Sequence, residues 1–548
     1  MNLIEHIQQA FIKHLTDLYT ISDERIRECG LSINTDEKKQ EFGDLSSSAA
    51  LVLARELKRN PRQLAQEISD SFIHELVEKI EIAGAGFINL FLAERAFNQL
   101  AHQLYAEKES FFKPMLAKKQ NVNIEFVSAN PTGPLHFGHG RSGIIGDVLG
   151  NVLNFIGHSV TKEFYINDAG GQIQRLGASF KARCDQQLGI QTPVAEDGYQ
   201  GEYLIELAQT CKNEYGETLL TKDAHFFEDY AKNQLLERIK NTLADYGITF
   251  DVWFSEKTLH ANKAIEEAIT QLEKAGYLFE QEGALWFRST DFGDDKDRVL
   301  KKSNGQWTYI AADIAYLLNK VDRGYDNLVV VLGHDHHSYA VRLQGIRSSL
   351  QLKPTLDIIL YQLVRMKEDG ELVQMSKRAG TMITLQDVIN TVGKDVARFF
   401  YLHRKADAQL EFDLELAKKK TDENPVYYIQ YAYVRILSIL NKAKQEAEFS
   451  SIDVKDAQHI RKEEAFLLKK IISLKSVLEH ISLSKQTHLL AYYSIELADA
   501  FHRYYSKHRV VDLSESERSR GRLLLLTILK NSFETVLDLL GISKPTKM

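Results

Sequence analysis

Two histidines stand three residues apart, His136 and His139, inside the stretch Ser128-Ala-Asn130-Pro131-Thr132-Gly133-Pro134-Leu135-His136-Phe137-Gly138-His139-Gly140. Polar and apolar residues alternate from Asn121 to Val127 ahead of it, as in a strand. Behind it Ile145, Val148, Leu149, Val152, Leu153 and Ile156 repeat at helical spacing. The pair therefore falls at a strand-to-helix turn. A helix N-terminus presents unpaired N–H groups and about half a positive charge, which suits phosphate. Both rings at that end can donate hydrogen bonds to a triphosphate. Gly138 allows backbone and ligand to approach closely. Gly143, Gly146 and Gly150 predict a smooth helix face that packs on a sheet and offers adenine a flat surface to stack on.

Other chemistries compete for these residues. Gly138-His-Gly140-Arg-Ser-Gly143 satisfies the dinucleotide fingerprint, with Glu163 at the distance of a ribose-binding acid. That fingerprint needs its first glycine directly after the strand, whereas here Pro131 and Pro134 intervene. His334-Asp335-His336-His337 follows an apolar strand, Leu328 to Gly333, and carries metal-ligand residue types, so a metallohydrolase is the rival there. It lacks outlying ligands at recognisable spacing, and no metal site is expected. Met375-Ser376-Lys377-Arg378 in isolation is an exposed basic loop. No GxxxxGK[ST] occurs, which disfavours P-loop kinase chemistry.

Several elements must position these groups. A chain of 548 residues should hold about three or four domains. Cys29, Cys184 and Cys211 show no paired spacing of the zinc or redox kind, which fits a reducing compartment. The N-terminus opens on an amphipathic helix without a secretory leader pattern, and the longest aliphatic run is far too short to span a bilayer. The net charge is −7, yet from Lys394 onward 26 Lys and Arg face 21 Asp and Glu. The basic excess is thus C-terminal, either a solvated helical surface or an RNA-facing end. Asn60-Pro61 predicts a break with Pro61 in the first turn of the next helix. Gly84 to Leu92 predicts a turn into a strand. Thr161 to Ile166 predicts a second strand ending at Asn167-Asp168-Ala169-Gly170-Gly171.

The string SANPTGPLHFGHGR resembles the "HIGH" signature of class I aminoacyl-tRNA synthetases, and is close to that of the arginyl enzymes in particular. Glu371 to Thr381 resembles their "KMSKS" loop, in which a mobile lysine closes over the triphosphate. Gln374 replaces the first lysine and Arg378 the final serine, while Lys377 is retained. Asp395-Val396-Ala397-Arg398 is a variant of the DALR sequence of the anticodon-binding bundle, and Asn424 to Arg435 is similar to the next segment of that bundle in arginyl enzymes. The Phe42-Gly43-Asp44 and Gly86-Phe87-Ile88-Asn89 segments are similar to the appended N-terminal domain that touches the tRNA corner. The resemblance covers nearly the whole chain.

The resemblance implies a small α+β N-terminal domain (1–112), an α/β catalytic domain with a Rossmann-like parallel sheet (113–390) and an all-α anticodon-binding domain (391–548). A connective insertion is expected at about 172–287. It implies an arginine–tRNA ligase acting on ATP with Mg2+, arginine and tRNA(Arg), away from membranes, cytoplasmic and monomeric. His136, His139 and Lys377 are the implied catalytic residues. Gly138, His136, His139, His336, Met375, Ser376 and Lys377 are implied to bind ATP. Glu125, Ser128, Asn130 and His136 match positions around the amino acid's ammonium and carboxylate, and Tyr309 and Asp313 its guanidinium. Tyr309 and Asp313 are four apart and share a helix face, and a permanently charged, forked cation calls for carboxylates. Among Tyr431, Arg435, Tyr504 and Arg509 some are implied to meet unpaired bases. Some arginyl enzymes lack the loop lysine and carry one at the position of Gly133, and their activation step generally needs tRNA. The alternative of another class is a tRNA-binding or regulatory paralogue without catalysis.

Overall fold

The computed structural model describes residues 2–20, 25, 28–373 and 383–548, so Gln374, Met375, Ser376, Lys377 and Arg378 of the second signature lie outside the described residues. The first helix, α1 (Leu3–Leu18), starts in a capping box: the Asn2 side chain accepts from the Glu5 N–H at 2.9 Å, and the Glu5 carboxylate accepts from the Asn2 N–H at 2.8 Å. Leu3, Ile7, Phe11 and Leu15 form its buried stripe. Next come β1 (Ser32–Ile33), β2 (Leu45–Ser47), α2 (Ala49–Leu57), α3 (Pro61–Ser71), β3 (Val77–Ala83), β4 (Phe87–Leu92) and α4 (Glu94–Glu107). Asn60 caps α3 and Pro61 occupies its first turn, as the dipeptide predicts. The four strands form one sheet in the order β1-β2-β4-β3.

The central body contains β5 (Asn121–Glu125), α5 (His139–Phe155), β6 (Ser159–Ile166), α6 (Gly171–Gln187), α7 (Glu202–Tyr215), α8 (Ala224–Asp245), β7 (Val252–Ser255), α9 (Lys257–Ala261) and α10 (Ala264–Lys274). It continues through β8 (Leu278–Gln281), β9 (Ala284–Phe287), β10 (Arg298–Lys301), α11 (Tyr309–Asp322), β11 (Asn327–Gly333), α12 (His337–Ser349) and β12 (Thr355–Tyr361). Five strands pair in parallel in the order β12-β11-β5-β6-β7. The chain winds outward from β5 in one direction and returns through β11 in the other, so β5 and β11 flank the switch point where such sheets bind ligands.

The stretch expected to be a mostly helical insertion therefore contains a core strand, β7, paired with β6 from Glu163 to Ile166. Four residues, Val-Trp-Phe-Ser, are too few to announce a strand between helical patterns. Helices α6, α7 and α8 make a separate unit around Leu176, Phe180, Leu204, Leu207, Phe227 and Leu235. The glycine face of α5 packs as predicted, but it leaves no surface for adenine. A Cβ at Gly146 would lie 2.2 Å from the Phe126 ring, one at Gly150 2.6 Å from Lys162 Cε, and one at Gly143 2.8 Å from Ile248 Cδ1.

The chain closes through β13 (Val364–Glu368), β14 (Glu371–Leu372), α13 (Leu385–Val392), α14 (Lys394–Leu402), β15 (Leu410–Asp413) and α15 (Leu414–Lys418), with strand order β14-β13-β15. Four long helices complete it: α16 (Pro425–Ala443), α17 (Ala465–Ser484), α18 (His488–Lys507) and α19 (Ser516–Leu540). One apolar core runs from the N-terminal module through the sheet into this bundle. The N-terminal module is also held to the bundle by ion pairs: Lys469 with Asp44 at 2.8 Å, Lys462 with Glu78 at 2.6 Å, Arg461 with Glu94 at 3.2 Å, and Lys475 with Glu5. Part of the C-terminal basic excess thus faces protein. Asp44 of the Phe-Gly-Asp segment is engaged there.

Candidate active site

The chain leaves β5 at Glu125 and reverses sharply, with Val127 at φ 66° and Ser128 at φ 40°. Left-handed backbone is costly for a β-branched residue, by about 1–3 kcal/mol, and such strain gathers at functional sites. The turn brings the Ser128 hydroxyl under strand β6, where it accepts from the Tyr165 N–H at 3.1 Å and donates to Glu125 at 3.2 Å. Glu125 also pairs with the buried ammonium of Lys320 at 2.6 Å. The side chain of Asn130 is exposed beyond this turn.

His136 and His139 meet at the start of α5, with ring centroids 6.3 Å apart and planes perpendicular. His136 Nδ1 accepts from the Gly138 N–H at 3.1 Å, and His139 Nδ1 accepts from the His136 N–H at 3.0 Å. In a neutral ring the proton then sits on Nε2, the tautomer that donates from that nitrogen. Gly138 occupies the N-cap, and the first turn of α5 carries no acidic residue. Gly140 sits against the Tyr401 ring, 2.6 Å from where a Cβ would be, and the Tyr401 hydroxyl donates to the Phe137 carbonyl at 2.7 Å.

The first signature is fastened to the segment that opens α13. Phe137 donates its N–H to Ile383 O at 3.2 Å and Leu385 donates to Leu135 O at 2.8 Å, forming an antiparallel bridge between His136 and Thr384. The segment from Ile383 to Leu385, which follows the second signature in sequence, is thus paired with the first. On the other side Arg141, wholly buried, donates to Gln362 O at 2.7 Å and Lys405 O at 2.8 Å. Burial pulls its guanidinium down to about 10.

A cluster of buried carboxyls lies beside this turn. Asp313, on α11, accepts from the Tyr339 hydroxyl at 3.0 Å. Burial pushes its carboxyl up to about 7 against that hydrogen bond, and the charges of Glu256 and Glu125 push the same way. Glu256 is itself buried and raised by burial, in spite of its bonds to Tyr165 and His260. Tyr165, Tyr316 and Phe254 form the aromatic wall, with Tyr165 and Tyr316 centroids 4.6 Å apart and Phe254 and Tyr316 4.8 Å apart. Tyr309, one turn before Asp313 and 52% exposed, reaches toward the Gly170 turn at the end of β6. Glu125 already has the Lys320 ammonium, whereas Asp313 and Glu256 are carboxyls raised by burial, a setting that a cation would relieve. Sequence reasoning missed Glu256, Tyr165 and Tyr339. Glu256 directly follows β7, so recognising that strand would have placed it at the ligand edge.

The rival readings find no support in the geometry. Glu163 is fully buried and bound by Arg323 at 2.6 and 2.9 Å, by Asn123 at 2.8 Å and by Tyr316. It faces the core and not a ribose. The turn after β11 is exposed, with His336 Nε2 3.7 Å from Asp335. Among the described residues no three His, Cys, Asp or Glu side chains converge as metal ligands. Tyr504, considered for base contact, is buried and donates to Glu464 at 3.1 Å. Tyr431 stays exposed and stacks on His502, and Arg435 lies over the Tyr505 ring at 5.1 Å. A groove of about 710 Å³ beside them is lined by Lys442, Tyr505, Lys507, His508 and Arg509.

Three family models match in sequence order: the arginyl-tRNA synthetase N-terminal domain over residues 2–92, the class I (R) tRNA synthetase catalytic domain over 100–407 and the DALR anticodon-binding domain over 429–548. The arginine–tRNA ligase of Anoxybacillus flavithermus is 38% identical over 100% of both chains, and that of Bacillus subtilis 40% over 93% of each. A solved putative arginyl-tRNA synthetase of Campylobacter jejuni superimposes with TM-score 0.75 at 33% identity, covering 83% of this chain and 100% of its own. The Thermus thermophilus arginyl-tRNA synthetase shares the fold over 100% of both chains, with TM-score 0.73 at 21% identity. With three domain models in sequence order, relatives matched over nearly the full length, and the first signature at the switch point of a parallel sheet, the chain belongs to the arginyl-tRNA synthetases, class I ligases that activate arginine with ATP and transfer it to tRNA.

Proposed function

We propose that activation takes place in the crevice between β5 and β11, with the triphosphate at the N-terminus of α5 and the arginine side chain in the Asp313–Glu256 pocket. The pairing of Leu135 and Phe137 with Leu385 and Ile383 carries this reading, because it sets the segment that follows the second signature in sequence beside His136. Lys377 is six residues before Ile383 and eight before Leu385, a span short enough for it to serve the same phosphates. His136 and His139 donate from Nε2 to the triphosphate, Gly138 lets it approach the backbone, and Lys377 closes over it with Met375 and Ser376. His336, at the end of the neighbouring strand, borders the nucleotide.

Arginine lies with its guanidinium between Asp313 and Glu256 and under the Tyr309 phenol. Glu125, Ser128, Asn130 and the His136 segment hold the ammonium and carboxylate. A carboxylate oxygen of arginine then attacks the α-phosphorus, the bond to the bridging oxygen breaks, and pyrophosphate leaves. A hydroxyl of the terminal tRNA ribose next attacks the arginyl carbonyl carbon and releases AMP. Both nucleophiles come from substrates, so the protein supplies positioning and charge stabilisation. Magnesium enters with ATP, held mainly by phosphate and water.

Residues 1–112 serve the tRNA corner, 113–390 catalysis and 391–548 the anticodon, in a monomeric, cytoplasmic enzyme. The groove at Lys442, Tyr505 and Arg509 suits unpaired bases, since it combines aromatic faces with positive charge. The test is charging of mixed tRNA with each labelled amino acid, where arginine alone should be attached. Attachment of another amino acid, or none with tRNA still bound, would overturn the assignment of the pocket.

A further inference from the structure

Tyr203, the second residue of α7, reaches out of the inserted helical unit to the first signature loop. Its hydroxyl donates to the Thr132 carbonyl at 2.7 Å. Among the described residues it is the one side chain outside the loop that hydrogen bonds to residues 130–134. Its phenol ring covers Gly133, where a Cβ would sit 3.3 Å from the Tyr203 hydroxyl oxygen and 3.4 Å from the ring carbon bearing it. Gly201, the N-cap of α7, makes the room: a Cβ there would lie 2.2 Å from the same ring. The other side of the ring packs on the apolar cluster of α6, α7 and α8. Burial raises the phenol, so it remains a protonated donor throughout the working pH range.

Between Ser128 and His136 the chain is irregular, and a loop without a lattice of backbone bonds takes its height from whatever holds it. A displacement of about 1 Å at a reacting group is enough to slow a positioned reaction about a hundredfold. We propose that Tyr203 is a positioning residue for arginine activation, holding the Thr132–Gly133 turn so that His136 and His139 meet the triphosphate. The inserted unit then reaches the Thr132–Gly133 turn through this phenol, while the Tyr246 hydroxyl at the end of α8 donates to the Gly140 carbonyl at 3.2 Å, and Gly133 and Gly201 are small because the ring needs both places.

Pyrophosphate exchange by the full-length enzyme with Mg-ATP, arginine and tRNA present reads this role. Tyr203→Phe removes one hydroxyl, and the exchange kcat should fall about tenfold while the KM for arginine and the melting temperature hold. Gly133→Ala should also lower kcat, because its methyl presses on the hydroxyl. The double variant should be no slower than Tyr203→Phe alone, since removing the hydroxyl frees the space. An unchanged kcat in Tyr203→Phe, or losses that multiply in the double variant, would overturn the proposal. A fall in kcat accompanied by equal losses in arginine binding and melting temperature would reduce Tyr203 to a structural contact. Because the role rests on ATP lying at α5, His139→Ala is run alongside. If that variant keeps full exchange, the ATP placement itself fails; if it is inactive while Tyr203→Phe is silent, only the role of Tyr203 falls.

Discussion

Arg398 lies 2.5 Å from Asp147, and both side chains are sealed from solvent. The same guanidinium donates to Leu540 O at 2.8 Å and Tyr246 O at 3.1 Å, so one residue of α14 joins the signature helix, the end of α8 and the last helix. Burial alone would raise the Asp147 carboxyl, but Arg398, with Lys162 at 2.6 Å, outweighs it and holds the carboxyl below the usual range. Removing Arg398 leaves a buried carboxylate with half its compensation and takes a donor from three carbonyls, those of Leu540, Tyr246 and Gly247. Arg398→Ala should therefore destabilise the protein by about 3–5 kcal/mol in urea unfolding. Asp147 contributes stability that is present above the ordinary aspartate range and lost as pH falls through its lowered value. A cost near that of a surface pair, about 0–1 kcal/mol, would show the contact to be open in solution.

With Asp313 pushed up to about 7, the proposed placement of the arginine guanidinium against it predicts pH-dependent arginine binding. Its contribution to stability is present below the ordinary aspartate range and is lost as pH rises toward 7. Ligand binding has the opposite slope, because the guanidinium needs the ionised carboxylate. Arginine affinity should strengthen as pH rises through about 7, with release of a proton below that point. Calorimetry in buffers of different ionisation enthalpy measures that proton. Asp313→Asn should flatten the profile and weaken arginine by about 2–5 kcal/mol while sparing ATP. Glu256→Gln should act in the same direction. Equal losses for both ligands would place Asp313 outside the arginine pocket.

The parts of this site readable in the sequence were those that spacing encodes. His136, Gly138 and His139 fall at a strand-to-helix turn, and Tyr309 and Asp313 fall on one helix face. Glu256 was not readable, because it follows a four-residue strand hidden among helices and becomes a site residue only when β7 joins the sheet beside β6. Gly146 and Gly150 could be read as packing glycines, but not what fills the space, since Phe126 and Lys162 come from elsewhere in the chain. Likewise the DALR-like segment marks a helix, while the partner of its arginine lies 251 residues away.

Gly133 has no left-handed φ, so its backbone accepts a side chain. The obstacle is the Tyr203 hydroxyl, 3.3 Å from a new Cβ. Lys377→Ala should lower single-turnover adenylate formation by about 10²–10³, the scale of one lost transition-state donor, with arginine affinity little changed. Adding Gly133→Lys should restore part of the rate if one mobile cation at the triphosphate is what matters. An active Lys377→Ala enzyme would remove that role from the loop. Failed rescue in a folded double variant, with Gly133→Ala alone keeping full exchange, would sink only the exchange between the two positions, since a Gly133→Ala loss would itself trace to the Tyr203 hydroxyl.

Activation should require tRNA, as in the arginyl enzymes that the signatures resemble. The expected result is negligible ATP–pyrophosphate exchange with arginine alone and full exchange once tRNA is added. Full-rate exchange without tRNA would contradict this order of events.

The ion pairs from Arg461, Lys462, Lys469 and Lys475 to the N-terminal module bear on how tRNA affinity responds to salt. Counterions released from phosphates give binding a steep dependence on ionic strength, and the slope is commonly converted into a number of phosphate contacts. Here the same salt also screens the more exposed clamps between module and bundle, Glu78–Lys462 and Glu94–Arg461. A rising salt concentration thus weakens phosphate contacts and also loosens the ion pairs that hold the N-terminal module to the bundle. The measured slope sums two processes, and charge-neutral replacements at Glu78 and Glu94 would isolate the share that belongs to RNA.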